Sequence, residues 1–186
     1  MEQSLVLTRS RISVRAVAVL LGVALVTLAA QISVPLPGTP VPMTLQPLAV
    51  LLVGGMLGPR LGATSMVAYL ALGAAGLPVF TPTVPLVGIA RLMGPTGGYL
   101  LAYPVAAFAV GALAGDGTRL WRIALAVLAG LTLIHVGGLA QLAILTGDPS
   151  VAARFGTLPF LIGDLLKLAV AALVLRRTIA PLRERL

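Results

Sequence analysis

The amino-acid sequence predicts an all-α integral membrane protein with six transmembrane helices, cytoplasmic N- and C-termini and an outward-facing, lidded pocket. Apolar residues make up 59% of the 186 residues and charged residues only 10%, whereas soluble domains are about 45–50% apolar and about 25% charged. The mean hydropathy is +1.07. The apolar residues form continuous runs of helix length, and most basic residues fall between these runs.

We expect the whole chain, residues 1–186, to form a single six-helix membrane domain. Helices of about 20 residues would use roughly 120 residues for six spans and leave only short loops, while eight spans would leave almost none. A transmembrane barrel is excluded because it needs alternating strands of about ten residues. The predicted helices cover about 14–34, 43–57, 61–76, 97–114, 120–146 and 158–178.

The first predicted helix follows several arginines and could be mistaken for a signal peptide. Its apolar run is too long for a signal sequence, and further spans follow it, so we interpret it as a membrane helix. Only Gly58-Pro59-Arg60 separates the second and third helices, which form either a tight hairpin or one broken helix. Proline blocks regular continuation and Arg60 favours a headgroup, so the hairpin is preferred.

The connections after the first and third helices are apolar and rich in proline and glycine. The first covers 35–42 and the second covers 76–98. An apolar connection outside the membrane has little reason to lie in water, so we interpret both as a lid folded back over a cavity. A stiff spacer is the alternative, and it fits the first connection better than the second.

The distribution of basic residues predicts the orientation of the helices. The net charge of +8 does not indicate nucleic-acid binding, because the basic residues are scattered and not clustered on a solvated face. With a cytoplasmic N-terminus, the outer side holds Arg91 and Arg154, and Lys167 falls within a span. The other ten lie on the inner side, as the positive-inside rule requires: Arg9, Arg11, Arg15, Arg60, Arg119, Arg122, Arg176, Arg177, Arg183 and Arg185.

Ionisable residues inside membrane helices are costly and therefore indicate function. Asp164 and Lys167 lie three apart in the last helix and so share one face. An internal ion pair is the structural alternative to a role in ligand binding. His135, like Gln31 and Gln141, is interpreted first as a bridge between helices. Arg91 lies outside against the charge trend, which indicates either an anionic partner or an exposed loop residue.

Several kinds of catalytic and metal site are absent from the sequence. No Walker phosphate-binding motif and no Gly-x-Ser-x-Gly elbow occur. One histidine and no cysteine leave no plausible zinc cluster, and Asp164 has no second carboxylate for paired acid–base catalysis. We therefore predict that the chain is not an enzyme and uses neither a metal nor a cofactor. A binding site for a small amphipathic solute remains.

Several segments together resemble a known family. These segments are 41–50, 58–62, 73–80, 94–100 and 163–167. They are similar to the signature segments of the BioY family, the biotin-specific substrate-binding (S) components of energy-coupling factor (ECF) transporters. The resemblance runs in order from about residue 14 to 178. It implies a multi-pass protein of the bacterial plasma (inner) membrane, in contact with lipid, that takes up biotin.

The resemblance also implies partners and site residues. A T component and ATP-binding subunits would supply energy from the cytoplasmic side, and Ala18-x-x-x-Gly22 in the first helix would dock the T component. The chain departs from the family at 81–85, so ligand contacts from that loop are not expected. The residues expected to bind substrate are Asp164, Lys167, Arg91, Tyr99, Gln46 and Thr44.

Two questions stay open at the level of sequence. Either Lys167 or Arg91 would meet the biotin carboxylate, while Asp164 would accept from an N–H edge of the ligand. The chain would either work with ECF partners or act as a self-sufficient secondary transporter of biotin or a similar small amphipathic solute. In the second case Asp164 and Lys167 would form a proton-coupled pair. A membrane enzyme ranks last.

Overall fold

The computed structural model describes residues 2–185, with side chains from residue 12 onward. Seven helical runs and two short strands follow one another along these residues. The helices are α1 (Glu2–Gln31), α2 (Gln46–Ala74), α3 (Ile89–Met93), α4 (Gly97–Leu113), α5 (Leu120–Thr146), α6 (Pro149–Gly156) and α7 (Leu161–Arg183), with a 3₁₀ turn at Leu158–Phe160. The strands are β1 (Ser33–Val34) and β2 (Met43–Thr44), which pair antiparallel. Arg9 and Arg11, two of the arginines expected on the inner side, have side chains outside the described part of the chain.

The helical run α2 is a hairpin of two antiparallel arms, 46–57 and 59–74. Gly58 has φ 80° and ψ 178°, a backbone conformation that is almost restricted to glycine. The Gln46 side-chain amide donates to the Tyr69 hydroxyl at 2.7 Å, although an unbroken helix would separate these residues by about 34 Å. The predicted hairpin at Gly58-Pro59-Arg60 is therefore confirmed.

Division of the hairpin at Gly58 gives six helical segments in the order that the sequence predicts. Four helical stretches within the described residues are long and apolar enough to span: Ile12–Gln31, Gln46–Ala74, Leu120–Thr146 and Pro149–Arg183. The shorter Gly97–Leu113 is also apolar. The prediction of six helices fits this arrangement, because α1, the two arms of α2, α4, α5 and α7 make six segments.

The predicted helix boundaries differ from the structure at both ends of the chain and next to the outer connections. The first helix begins at Glu2 and not at 14, and the last helix ends at Arg183 and not at 178. The first helix ends at Gln31 and not at 34, because β1 pairs with β2 and takes the chain out of the helix. For the same reason the next helix starts at Gln46 and not at 43. The last helix starts at Leu161, after the 3₁₀ turn, and continues to Arg183. Asp164 therefore lies in the first turn of α7, roughly 4.5 Å from its start.

Small residues allow α2 and α4 to pack with their backbones in contact. A side-chain carbon at Gly54 would lie 2.4 Å from the Ala107 carbonyl oxygen, and one at Gly111 would lie 2.5 Å from the Pro59 nitrogen. Both distances are too short for any side chain. The small residues four apart in α2 and α4 thus serve internal packing.

Apolar side chains face outward along the spanning helices. Among the described residues, the exposed side chains of this kind include Leu20, Leu28, Leu128, Ile162 and Leu173. Aqueous surfaces rarely carry so many exposed large apolar side chains, whereas a bilayer accommodates them without cost. This exterior is consistent with lipid as the surrounding medium.

Arg183 closes the end of the molecule that holds the α2 turn. Its guanidinium donates to the carbonyl oxygens of Gly55 at 2.7 and 3.0 Å, of Gly111 at 2.9 Å and of Gly115 at 2.9 Å. These carbonyls lie at the C-terminal ends of the first α2 arm and of α4, where a cation interacts favourably with the helix dipole. Arg183 thus binds three helices together.

We expect Arg183→Gln to lower the free energy of unfolding by about 2–4 kcal/mol, because three buried carbonyls lose charge-assisted hydrogen bonds. Thermal unfolding of the purified protein in detergent measures this. Arg185→Gln is the matched control, because Arg185 is exposed two residues later, and it should change stability by less than about 0.5 kcal/mol. Equal effects of the two substitutions would contradict the assigned role of Arg183.

Candidate ligand-binding site

A cavity lies between the first arm of α2, α4, α5 and α7, at the end opposite Arg183. Polar and apolar side chains alternate around it. The polar lining consists of Thr44, Gln46, Thr81, Arg91, Thr96, Tyr99, Tyr103, His135, Asp164 and Lys167. The apolar lining consists of Val41, Pro42, Pro47, Leu100, Leu131, Ile134 and Phe160. A wall that combines apolar side chains with convergent polar groups is typical of a small-molecule site.

All six residues that the sequence predicts to bind substrate line this one cavity. They come from five parts of the fold: β2, the start of α2, α3, α4 and α7. The residues are Thr44, Gln46, Arg91, Tyr99, Asp164 and Lys167. Their convergence is a structural finding, while their contact with a ligand stays a prediction.

Asp164 is held by two protein donors, one at each carboxylate oxygen. The Lys167 ammonium donates to Oδ1 at 3.0 Å, and His135 Nε2 lies 2.6 Å from Oδ2. Asp164 and Lys167 are both buried, with exposed fractions of 8% and 6%. The predicted helix bridge through His135 is confirmed, because this contact joins α5 to α7. The i, i+3 pair between Asp164 and Lys167 also forms.

Arg91 is a buried cation and not an exposed loop residue. Only 1% of its surface is accessible, and it donates to the carbonyl oxygens of Val84 at 2.6 Å and of Thr81 at 3.0 Å. Its Nε has no hydrogen-bond partner among the described residues. Burial lowers the pKa of the guanidinium from its ordinary value, but arginine stays charged at neutral pH. A buried charge with an unused donor is costly unless a ligand satisfies it.

Gln46 and Thr44 are held at the start of α2. The Gln46 backbone amide donates to Thr44 Oγ1 at 3.2 Å, and its side-chain amide donates to the Tyr69 hydroxyl. Tyr69 in turn donates to the Val79 carbonyl at 3.0 Å. This chain of hydrogen bonds sets the orientation of the Gln46 amide at the cavity wall and ties the second outer connection to the hairpin.

Tyr99 contributes its ring to the cavity, while its hydroxyl is used elsewhere. The hydroxyl donates to the Gly156 carbonyl at 2.6 Å, which joins α4 to the end of α6. The ring meets the His135 ring edge to face at a centroid distance of 6.2 Å. Tyr99 therefore offers a ligand apolar contact, because its polar group already has a partner.

The outer connections lie against the cavity and are bound to neighbouring helices. Thr39 donates to the Phe155 carbonyl at 2.7 Å, which joins the first connection to α6. Gln141 of α5 donates to the carbonyls of Leu92 and Gly94 at 3.0 and 2.7 Å, so its predicted bridging role is confirmed. Gln31, by contrast, bonds only to Thr27 of its own helix in the structure, and its predicted bridge is wrong.

The departure from the family predicts no ligand contacts from the loop at 81–85, and that stays a prediction, but the loop forms part of the wall of the cavity. Thr81 lines it, and the carbonyls of Thr81 and Val84 orient Arg91. The sequence did not reveal this because the contacts use backbone oxygens, which carry no sequence signal. Other lining residues were also missed, among them Thr96 and Tyr103. His135 was noticed, but as a lone histidine it gave no sign of its neighbours.

Ala18 and Gly22 lie far from this cavity, on α1. A side-chain carbon at Gly22 would lie 2.8 Å from Ser65 Oγ, so its small size brings α1 against α2. Both residues also line an apolar groove between α1, the first arm of α2 and the end of α7. Their predicted role in docking a partner stays a prediction. No group of three or more His, Asp or Glu within the described residues could hold a metal ion.

Comparison with known proteins gave concordant matches. A family model described as the BioY family matches residues 2–184. A Pyrococcus horikoshii protein described as "Probable biotin transporter BioY" is 43% identical over 86% of this chain and 92% of its own length. A Thermotoga maritima protein described as "Biotin transporter BioY" is 41% identical, with coverages of 83% and 89%.

The fold also matches a solved structure. The crystal structure of an S-component for biotin from an ECF-type ABC transporter superposes with a TM-score of 0.76. The match covers 91% of this chain and 90% of that one, at 27% sequence identity.

Proposed function

The chain belongs to the BioY family, and we propose that it binds biotin on the outer side of the membrane and delivers it inward. The family is one of multi-pass membrane transporters. Membership therefore confirms the predictions that the chain is a membrane transport protein and not an enzyme.

One observation carries the proposal: the cavity combines a held Asp164–Lys167 pair with the buried Arg91, whose Nε has no partner among the described residues. With a neutral His135, these charges sum to one positive charge, which complements a ligand with one carboxylate. Biotin carries a carboxylate on an apolar tail. Its ureido group adds two N–H donors and one carbonyl acceptor.

The arrangement of the cavity supports a specific orientation of biotin. Asp164 is the acidic residue of the lining and accepts from a ureido N–H. Lys167 already donates to Asp164, whereas Arg91 has a free donor, so Arg91 receives the carboxylate. Apolar side chains such as Leu100, Ile134 and Phe160 cover the fused rings between these two ends.

The predicted orientation in the membrane belongs to the same proposal. The cavity end faces outward, and the end that holds the α2 turn, Arg183 and both termini faces the cytoplasm. The two outer connections act as a lid, supported by Val41, Pro42 and Thr81 in the cavity wall. A T component and ATP-binding subunits then supply the energy from the cytoplasmic side.

A self-sufficient, proton-coupled transporter is the second candidate, because His135, Asp164 and Lys167 form a connected set of ionisable groups. Uptake of radiolabelled biotin separates the two candidates. We expect cells with the chain and ECF partners to lose uptake on ATP depletion, and cells with the chain alone to bind biotin without accumulating it. Accumulation by the chain alone that an uncoupler abolishes would favour the second candidate. A purified chain that does not bind biotin would overturn both.

A further inference from the structure

His135 belongs to a chain of side chains that begins outside the spanning helices. Thr157, just before the 3₁₀ turn, has its hydroxyl 3.3 Å from His135 Nδ1. His135 Nε2 lies 2.6 Å from Asp164 Oδ2, and Lys167 bonds to the other oxygen. The order Thr157–His135–Asp164–Lys167 thus connects the outer segment to the carboxylate at the cavity.

The chemistry of these groups excludes one of the two neutral tautomers of the imidazole. An ionised carboxylate only accepts hydrogen bonds, so His135 Nε2 must carry a proton to approach Asp164 at this distance. In the neutral ring Nδ1 is then an acceptor, and the Thr157 hydroxyl can donate to it. The opposite tautomer would place two lone pairs against each other at 2.6 Å.

The ring is also held by its neighbours. Tyr99 of α4 meets it edge to face at 6.2 Å, and Phe160 lies at a centroid distance of 6.4 Å. Tyr99 is itself fixed by its hydrogen bond to the Gly156 carbonyl. These contacts restrict rotation of the imidazole, so that the donor to Asp164 has one direction.

We propose that His135 is a positioning residue for the ligand: in the tautomer set by Thr157, it holds the Asp164 carboxylate in the orientation that accepts a ligand N–H. The proposal rests on the function proposed above. A carboxylate has about four acceptor sites, of which Lys167 and His135 use two. Because these two donors hold the carboxylate in place, its remaining acceptor sites keep a fixed direction toward the ligand. A carboxylate without such donors would be free to rotate.

The first test needs no ligand, so it is independent of the proposed function. The chain contains one histidine, so ¹⁵N-histidine labelling of protein purified without a histidine tag reports this ring alone. At pH 7.5 we expect a protonated Nε2 and an unprotonated Nδ1. Thr157→Val should shift the Nδ1 signal, and Thr157→Ser should restore it. The opposite tautomer, or a ring protonated at both nitrogens, would overturn the proposal.

The second test measures biotin affinity. We expect His135→Ala to weaken binding about tenfold and His135→Gln, which keeps an N–H donor, to recover most of it. In an Asp164→Asn background, His135→Ala should cost less than about twofold, because the two residues act through one contact. Thr132→Val is the control for Thr157→Val, since Thr132 bonds only within α5 in the structure.

These outcomes separate a positioning role from a structural one. Additive losses for His135→Ala and Asp164→Asn would show that His135 acts independently of Asp164, and would overturn the proposal. Thermal unfolding of each variant without biotin identifies any that do not fold. If a His135 or Asp164 variant does not fold, the comparison of Thr157→Val with Thr157→Ser decides whether the proposal holds. If the wild-type chain does not bind biotin, the proposed function fails, while the tautomer measurement still decides the geometry.

Discussion

Asp164→Asn is expected to weaken biotin binding about ten- to a hundredfold, because a charge-assisted hydrogen bond in a dry pocket is worth about 1.5–3 kcal/mol. Asparagine keeps the shape of the side chain but removes the charge, and it turns one acceptor into a donor. The new amide N–H group would then face another hydrogen-bond donor, which is Lys167, His135 or the ligand N–H. Isothermal titration of the purified protein in detergent measures the change in Kd.

Asp116→Asn is the matched control for this prediction. Asp116 is an exposed acid in the turn between α4 and α5, where it bonds to Thr118. Asp116 follows Gly115, whose carbonyl accepts from Arg183. It therefore lies at the end of the molecule opposite the cavity. Biotin affinity of this variant should match that of the wild type. Wild-type affinity in both Asp164→Asn and Lys167→Ala would remove α7 from the site.

Arg91→Gln is expected to weaken biotin binding by about a hundredfold, because it removes the buried cation assigned to the carboxylate. The same substitution should weaken binding of a biotin amide by less than about threefold, since that ligand offers no negative charge. Measuring both ligands with both proteins isolates the charge pairing from any change in the shape of the cavity.

Arg154→Gln serves as the control, because Arg154 is the other arginine expected on the outer side and is exposed. It should leave both affinities unchanged. Arg91 also holds the carbonyls of Thr81 and Val84, so its loss could act through the loop. Equal losses for biotin and its amide would identify that structural route and would assign the carboxylate to Lys167.

Much of the fold could be predicted because a membrane leaves few options for the backbone. Long apolar runs must be helical in lipid, so four of the six predicted segments required only a count of residues. The hairpin at Gly58 followed from a proline and a charge placed together. The prediction failed where the chain leaves the membrane. The strands β1 and β2 have two residues each, and the helices α3 and α6 have five and eight, which is too short for a repeating pattern to identify them.

The candidate site was predictable in its residues and unpredictable in its contacts. Asp164 and Lys167 stood out because ionisable groups inside a span are costly, and Arg91 because it opposes the charge trend. Neither the spacing nor the family resemblance indicated that His135 approaches Asp164, because these residues are 29 apart in sequence. The departure of the loop at 81–85 from the family pattern gave no indication that the backbone carbonyls of Thr81 and Val84 hold Arg91.

By itself the sequence determined the solvent, the number of spans and the residue types that a ligand could meet. These properties follow from composition and from the cost of charge in lipid, which act on each segment separately. Only the tertiary structure decided that Lys167 and His135 contact different oxygens of Asp164, and that Arg91 is buried with an unused donor. Those facts depend on distances between helices remote in sequence, and such distances are set by how glycine and alanine allow the helices to pack.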